Sequence, residues 1–321
     1  MNLIQTDQIN CYNPSGRIIP CKKTGQDGDT RTGTQWPCPR FIQKQDIIED
    51  LVTGLIWPQN AALNEFPLSW QEAFDFINDM NKRRQFGLDH WRLPRRDELF
   101  SLISHSRVNP AVVGPDQFQN LFNGYYWTAT PCARYPNQAW YIHMGGGRIV
   151  KGMIQSSYMV WPVNNPAAGR QSASAKEIPG SAEMRFKVAD DAVSDMATGL
   201  TWMRNADIIQ KPVKWGDALS TIQRINAEKH FGFNDWRLPN IRELESLTDM
   251  TVHSPAVAAR KWFFSVQSFY WSSTTSVYDP SYAWTLYTED GNIGVGFKDG
   301  ADFHVWPVRT SERQDFLPEM K

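Results

Sequence analysis

The sequence predicts an α+β protein built as two tandem units of one fold. Three observations carry this. A long phrase recurs once, each copy runs from helix-periodic segments into short aromatic strands, and a polar stretch separates the copies. The phrase FGLDHWRLPRRDELFSLI at 86–103 returns as FGFNDWRLPNIRELESLT at 231–248. Its flanks return with it. Thr53-Gly54-Leu55 matches Thr198-Gly199-Leu200, Trp70 matches Trp215, and Trp161-Pro162-Val163 matches Trp306-Pro307-Val308, all at a spacing of 145. Tyr126-Trp127 with Tyr270-Trp271, and Ala139-Trp140 with Ala283-Trp284, follow at 144. A period this long belongs to a duplicated domain, since solenoid and propeller units run to roughly 20–50 residues.

The division expected is a leading segment at 1–37, a first unit at 38–165, a linker at 166–184, a second unit at 185–311 and a tail at 312–321. The linker is poor in bulky apolar residues and rich in Ala, Ser, Gly and Pro, the composition of an exposed connection. Within the first unit, Ser69-Trp70-Gln71-Glu72 has the form of a capping box, and Trp70, Ala73, Phe74 and Ile77 follow at helical spacing. Trp215, Ala218, Leu219 and Ile222 repeat the stripe. A second helix follows Pro94 and carries Leu99 and Leu102. Its counterpart follows Pro239, with Leu244 and Leu247, and Asn240 and Glu243 are spaced as a further capping box. The last third of each unit changes character. YYWTAT, QAWYIHM and YMVWPV, like FYWSST, YAWTLYT and FHVWPV, are short, aromatic and β-branched, and Gly-rich or Asp-Gly turns separate them. Each unit therefore reads as two helices followed by a small antiparallel sheet. The two units should superpose, with Trp91, Trp236, Trp161 and Trp306 buried and no sheet running continuously from one unit to the other.

Composition excludes several functions. With 321 residues, 41% of them hydrophobic and 13% aromatic, the chain has ample material for two cores. A net charge of -1 gives no field that favours nucleic acid or an anionic membrane. No apolar run approaches the roughly 20 residues of a membrane span. The opening MNLIQTDQINCYNPSG lacks a basic-then-apolar signal pattern, and the expectation is that an export signal lay ahead of it and has been removed. The four cysteines show no Cys-x-x-Cys spacing. Cys11 and Cys21 flank the turn-like Asn-Pro-Ser-Gly and suit a small disulfide loop, which places the chain outside the cytoplasm.

The order T-G-L-x-W, W-x-x-A, W-R-L-P-x-x-x-E-L, Y-W-[ST]-[SA]-T, A-W and W-P-V resembles the Legionella collagen-like protein C-terminal domain family, over nearly all of both units. The resemblance implies two tandem C-type-lectin-like domains, export to the bacterial surface, and binding of sulfated polysaccharide by a trimer in a well-understood relative. It implies no catalytic chemistry. No collagen-like Gly-x-y tract is present in this chain.

Trp91-Arg92 and Trp236-Arg237 could offer a sugar an indole face and a guanidinium. The plainer reading is structural: the tryptophans are core, and Arg92 and Arg237 reach Glu98 and Glu243. Function is then sought where the copies differ. The segment from Trp127 to Trp161 carries Arg134, Arg148 and Lys151 with no acid, a net +3. Trp271 to Trp306 carries Lys298 against Asp279, Glu289, Asp290, Asp299 and Asp302, a net -4. Tyr135, Asn137, Tyr141 and His143 accompany the basic residues, and Tyr278, Tyr282 and Tyr287 the acidic ones. These ten residues, Arg134, Tyr135, Asn137, Tyr141, His143, Arg148, Lys151, Tyr278, Tyr282 and Tyr287, are the candidate ligand-binding set. Solvated loops with incidental charge are the plain alternative.

Catalytic and metal sites find little support. Tyr135-Pro136-Asn137 lacks the carboxylate of a calcium-lectin loop. Asp27-Gly28-Asp29 and Glu289-Asp290-Gly291 read as turns rather than cation loops. Cys132 reads as a disulfide partner of Cys38 or as an inert thiol, not as a nucleophile. Neither a paired-histidine helix nor a nucleophile elbow appears. The expectation is a non-enzymatic chain without metal or cofactor, an adhesin for acidic or sulfated polysaccharide. The alternative is an assembly subunit of a surface appendage, in which the oppositely charged faces pair unit to unit or chain to chain, with homo-oligomers possible.

Overall fold

A computed structural model describes residues 3–166 and 185–311 of the chain. The linker from 167 and the tail from 312 lie outside the described residues. A short leading hairpin, β1 (Cys11–Tyr12) with β2 (Ile18–Ile19), is closed by a Cys11–Cys21 disulfide, and a four-residue helix α1 (Asp27–Thr30) follows. Each unit then opens on strands that sequence reading did not separate from the loops. In the first these are β3 (Phe41–Lys44), β4 (Ile47–Asp50) and β5 (Ile56–Pro58). The expected helices come next, α2 (Trp70–Lys82) and α3 (Arg96–Phe100), and then β6 (Tyr125–Pro131), β7 (Gln138–His143) and β8 (Ile149–Met153).

The second unit repeats the order with β9 (Phe186–Ala189), β10 (Ala192–Asp195) and β11 (Leu200–Met203), then α4 (Trp215–Ala227) and α5 (Ile241–Ser246). It ends with β12 (Phe269–Thr275), β13 (Tyr282–Tyr287), β14 (Asn292–Phe297) and β15 (Val308–Thr310). "Helices followed by a sheet" is thus corrected to three short strands, helices, three strands. The first strands escaped notice because each is three or four residues long, too short to show a run of alternation.

The recurring phrase is scaffold in both units. Trp91 exchanges backbone hydrogen bonds with the Asn81 amide at 2.7 and 2.8 Å, and Trp236 does the same with Asn226 at 2.9 and 2.7 Å. The glycine that opens the phrase, Gly87 at φ 72° and Gly232 at φ 80°, holds a left-handed conformation that disfavours a side chain. Arg92 forks onto Glu98 with both bonds at 2.7 Å, and Arg237 onto Glu243 with Nη2–Oε1 at 2.7 Å. Each of these glutamates also accepts the backbone N–H that starts its helix, from Arg95 and from Asn240. One carboxylate therefore joins the chain entering the helix to the helix cap.

Trp57 meets Trp161 edge-on at 5.6 Å, and Trp202 meets Trp306 edge-on at the same distance. All four are fully buried, as Trp91 and Trp236 very nearly are. A buried indole withdraws about 150–250 Å² from water, worth up to about 4–6 kcal/mol at ~25 cal/mol per Å². These rings therefore dominate both cores.

The two units are not separate beads, and this corrects the expectation of two independent sheets. β14 pairs with β8 through Ile293 and Ile149, so two three-stranded sheets fuse into one of six strands, ordered β12-β13-β14-β8-β7-β6. The cause is in the sequence. β8 and β14 end their meanders, each with an Ile near its start, and the pairing of Ile149 with Ile293 joins the two edges at that point. The duplication itself stands, since each half keeps its own ordered set of elements.

Buried polar contacts tighten the joint. Arg242 donates to the Ile103 carbonyl at 2.7 Å, and the Gln8 amide bridges the His105 carbonyl of the first unit and the Thr275 carbonyl of the second. His105 lies between Phe100 and Trp284, 5.6 Å from each ring. Asp27, read as part of a turn, is fully buried and accepts hydroxyls from Thr6 at 2.7 Å and Thr274 at 2.6 Å. The leading segment is thus a strap across both units.

Candidate carbohydrate-binding surface

The β6–β7 ladder sorts the first unit's aromatic residues onto two faces. Alternation sends Trp140 and Ile142 into the core and leaves Tyr141 and His143 on the other face, where Tyr125 pairs with His143 and Trp127 with Tyr141. Tyr158 completes the group from the loop beyond β8. Its ring is 4.4 Å from Tyr141, 5.3 Å from Tyr125 and 4.6 Å from Trp127, and Tyr125 is 5.0 Å from His143.

Gly152 lies beneath. A Cβ there would come within 2.7 Å of Tyr141 and 3.0 Å of the Tyr158 hydroxyl, so glycine lets both rings settle on the strand. Burial and the Tyr158 hydroxyl raise the Tyr141 phenol, which stays protonated. Burial, then the Arg148 charge, lowers the His143 imidazole, which is neutral at pH 7. The result is an uncharged platform in which Tyr141 is buried as the floor, Tyr158 and His143 are half-buried, and Tyr125 is 43% exposed at the rim. The second unit places Phe269, Thr285, Tyr287 and Phe303 at the corresponding positions, so Tyr287 stands among phenylalanines, 5.1 Å from Phe269 and 6.1 Å from Phe303.

The charged candidates fall at two related junctions, where the turn of each unit crosses the sheet of the other. At one, Arg134 pairs with Glu289 and Lys151 with Asp290. Tyr135 caps this junction, its ring 5.2 Å from the Arg134 guanidinium and 5.7 Å from the Lys151 ammonium. At the other, Arg148 from the first unit faces Tyr278, Asp279 and Tyr282 from the second across an open cleft of about 180 Å³. No ion pair or side-chain hydrogen bond engages Arg148 among the described residues. Asn137 sits in the exposed turn before β7, two residues after Tyr135, with no side-chain hydrogen bond to either junction or the platform among the described residues.

The set chosen from sequence thus divides four ways. Tyr141 and His143 join the platform, Arg134, Tyr135 and Lys151 the closed junction, and Arg148, Tyr278 and Tyr282 the open one. Tyr287 and Asn137 join none of these. Sequence reading missed Tyr125 and Tyr158 as surface residues and took them as strand aromatics. The alternation Tyr125-Trp127 against Tyr141-His143 was the available signal for Tyr125.

The remaining candidates are structural. Cys38 is an exposed thiol and Cys132 a buried one, with no bond between them. Among the described residues no group of three or more His, Cys, Asp and Glu side chains is placed to hold a metal ion, and no helix is long and apolar enough to cross a membrane.

Two aromatic α+β units sharing one sheet define a duplicated-domain protein. The chain belongs to the Lcl C-terminal domain family, whose model matches residues 46–164 and again 191–309. No curated protein matches it.

Proposed function

We propose that the chain is a non-catalytic bacterial surface protein that binds carbohydrate through the first unit, each unit being a variant of the C-type-lectin-like fold. The observation that carries this is the platform of Tyr125, Tyr141, Tyr158 and His143. The exposed Tyr125 ring and the half-buried Tyr158 and His143 rings beside it, backed by the buried Tyr141, offer π faces to the C–H faces of a pyranose and neutral donors and acceptors to hydroxyls. Membership of the Lcl C-terminal domain family is compatible with such a role. The Cys11–Cys21 disulfide suits an oxidising exterior.

Assembly through opposite charges has less support, because Arg134 and Lys151 meet their acidic partners within the chain. The test is a glycan array comparing the wild type with Tyr125→Ala. The variant should lose about 10-fold in affinity, or ~1.4 kcal/mol, with an unchanged melting temperature. Glycan binding that survives unchanged in Tyr125→Ala contradicts this reading.

A further inference from the structure

The two junctions are related by the duplication, and comparing them shows how the open cleft arises. In the β7–β8 ladder Gln138 faces Met153, and in the β13–β14 ladder Tyr282 faces Phe297, so the units correspond here at 144. Lys151 therefore matches Val295, Arg134 matches Tyr278, and the turn residues Gly145 and Gly146 match Glu289 and Asp290. At the closed junction the turn carries two carboxylates, which enter the space over the sheet and meet two cations. At the open junction the turn carries two glycines, which have nothing to insert, and the facing positions are Val295 and Tyr278. Deleting the side chains on one wall and the charges on the other leaves a space bounded by Arg148, Ser276, Tyr278, Asp279, Tyr282 and Val295.

The chemistry of that space is selective. Arg148 is exposed and presents a guanidinium fork suited to one planar carboxylate. Tyr278, 63% exposed, and Tyr282, ring-packed at 5.5 Å on Phe297, supply aromatic walls. Asp279 accepts the Ser281 N–H at 3.0 Å and the Ser281 hydroxyl at 2.6 Å through Oδ1, which leaves Oδ2 to accept from a ligand hydroxyl. At about 180 Å³ the cleft is smaller than the roughly 300 Å³ at which drug-sized pockets begin, so it holds one ring rather than an oligomer.

We propose that this inter-unit cleft binds a single carboxylate-bearing pyranose residue, with the carboxylate on Arg148, the ring against Tyr278 and Tyr282, and a hydroxyl on Asp279. The proposal rests on the carbohydrate reading above and adds to it a second subsite built from both units. The position of Gly146 makes the two subsites neighbours: a Cβ there would lie 3.3 Å from His143 Nδ1 on the platform side and 3.6 Å from the Tyr278 ring on the cleft side. One chain of sugars can therefore run from the platform over the Gly-rich turn, placing an acidic residue in the cleft.

The test is an amide chemical-shift titration of the full chain with glucuronate and, separately, with glucose. Shifts should centre on residues 146–148 and 276–282, and glucuronate should bind at least 10-fold more tightly than glucose. Arg148→Gln should abolish that preference, and Val295→Phe, which fills the cleft, should abolish glucuronate binding. Equal affinity for the two sugars overturns the proposal, as do shifts centred on Tyr125 and Tyr158, or glucuronate binding unchanged in both variants. In those cases array binding that depends on Tyr125 leaves the carbohydrate reading standing. A wild type that binds no glycan on the array and no glucuronate in the titration removes both.

Discussion

The Lys151 ammonium of the first unit lies against the Asp290 carboxylate of the second, 139 residues further along the chain. Beside it stand the rings of Tyr135 and Trp140, 5.7 and 5.6 Å from the nitrogen. With Arg134 and Glu289, the pair brings two of the three cations of the basic segment onto two of the five acids of the other. The basic segment is therefore less available to an external anion than its net charge suggests. Of its three cations, Arg148 alone is left without an acidic partner among the described residues.

Arg237→Ala should destabilise the chain more than Arg92→Ala. The Arg237 and Glu243 side chains are 10% and 3% exposed, so removing the guanidinium strands a buried carboxylate at a cost of about 3 kcal/mol. The Arg92 side chain is 37% exposed, and Glu98 keeps Arg95 at 3.0 Å, so water and the second arginine reduce the loss to about 1 kcal/mol. Urea unfolding of the two variants checks the order. Equal losses would show that Glu243 does not depend on Arg237.

Gln8→Ala should loosen the strap. The Gln8 side chain donates to the His105 carbonyl at 3.1 Å and the Thr275 carbonyl at 2.8 Å, and accepts the Thr275 N–H at 2.8 Å. Alanine leaves three buried backbone groups unpaired. The expected loss is about 3 kcal/mol in urea unfolding. A change below about 0.5 kcal/mol, the level of ordinary surface substitutions, would show that the leading segment is an appendage rather than part of the joint.

These contacts mark where the sequence was legible. Features that depend on one unit alone could be read: the Ser69 cap from its local Ser-x-x-Glu spacing, and the Arg92 and Arg237 forks and the buried tryptophans because they recur at 145. Two salt bridges of the same kind escaped, Arg40 to Asp50 and Arg185 to Asp195, each at 2.7 Å. They repeat at 145 as faithfully as the phrase does, but ten residues separate the partners and no motif draws the eye to them. Between units, the opposite charges were legible and pair at Arg134–Glu289 and Lys151–Asp290, whereas the buried contacts of Arg242, His105 and Gln8 were not, because these residues have no repeated counterpart and their partners lie about 97 to 267 residues away. The platform fell between these cases. Alternation marks its strand residues, while Tyr158 reaches it from a loop.

Asp27 should make stability depend on mildly acidic pH. Burial pushes its carboxyl up to about 6, opposed by the Thr274 and Thr6 hydroxyls. The unfolded chain releases that proton near pH 4. Between those values the folded state holds more protons than the unfolded state, so this group's contribution falls as pH rises from about 4 to about 6 and is constant above. Asp27→Asn has no charge to bury. Its stability relative to the wild type should rise through that window by up to roughly 3 kcal/mol, while the contributions of His105 and Glu245 cancel in the comparison. A pH-independent difference would show that Asp27 is solvated.

The two units form one cooperative body joined in part through their charged faces. A double-mutant cycle of Lys151→Ala and Asp290→Ala, followed by urea unfolding of the full chain, tests this most directly. The wild type should unfold in a single transition, and the two substitutions should couple by about 1–3 kcal/mol, because the Lys151 and Asp290 side chains are 20% and 7% exposed. Strictly additive losses, or two separate transitions with each substitution moving only one of them, would contradict a shared joint and return the chain to two independent domains.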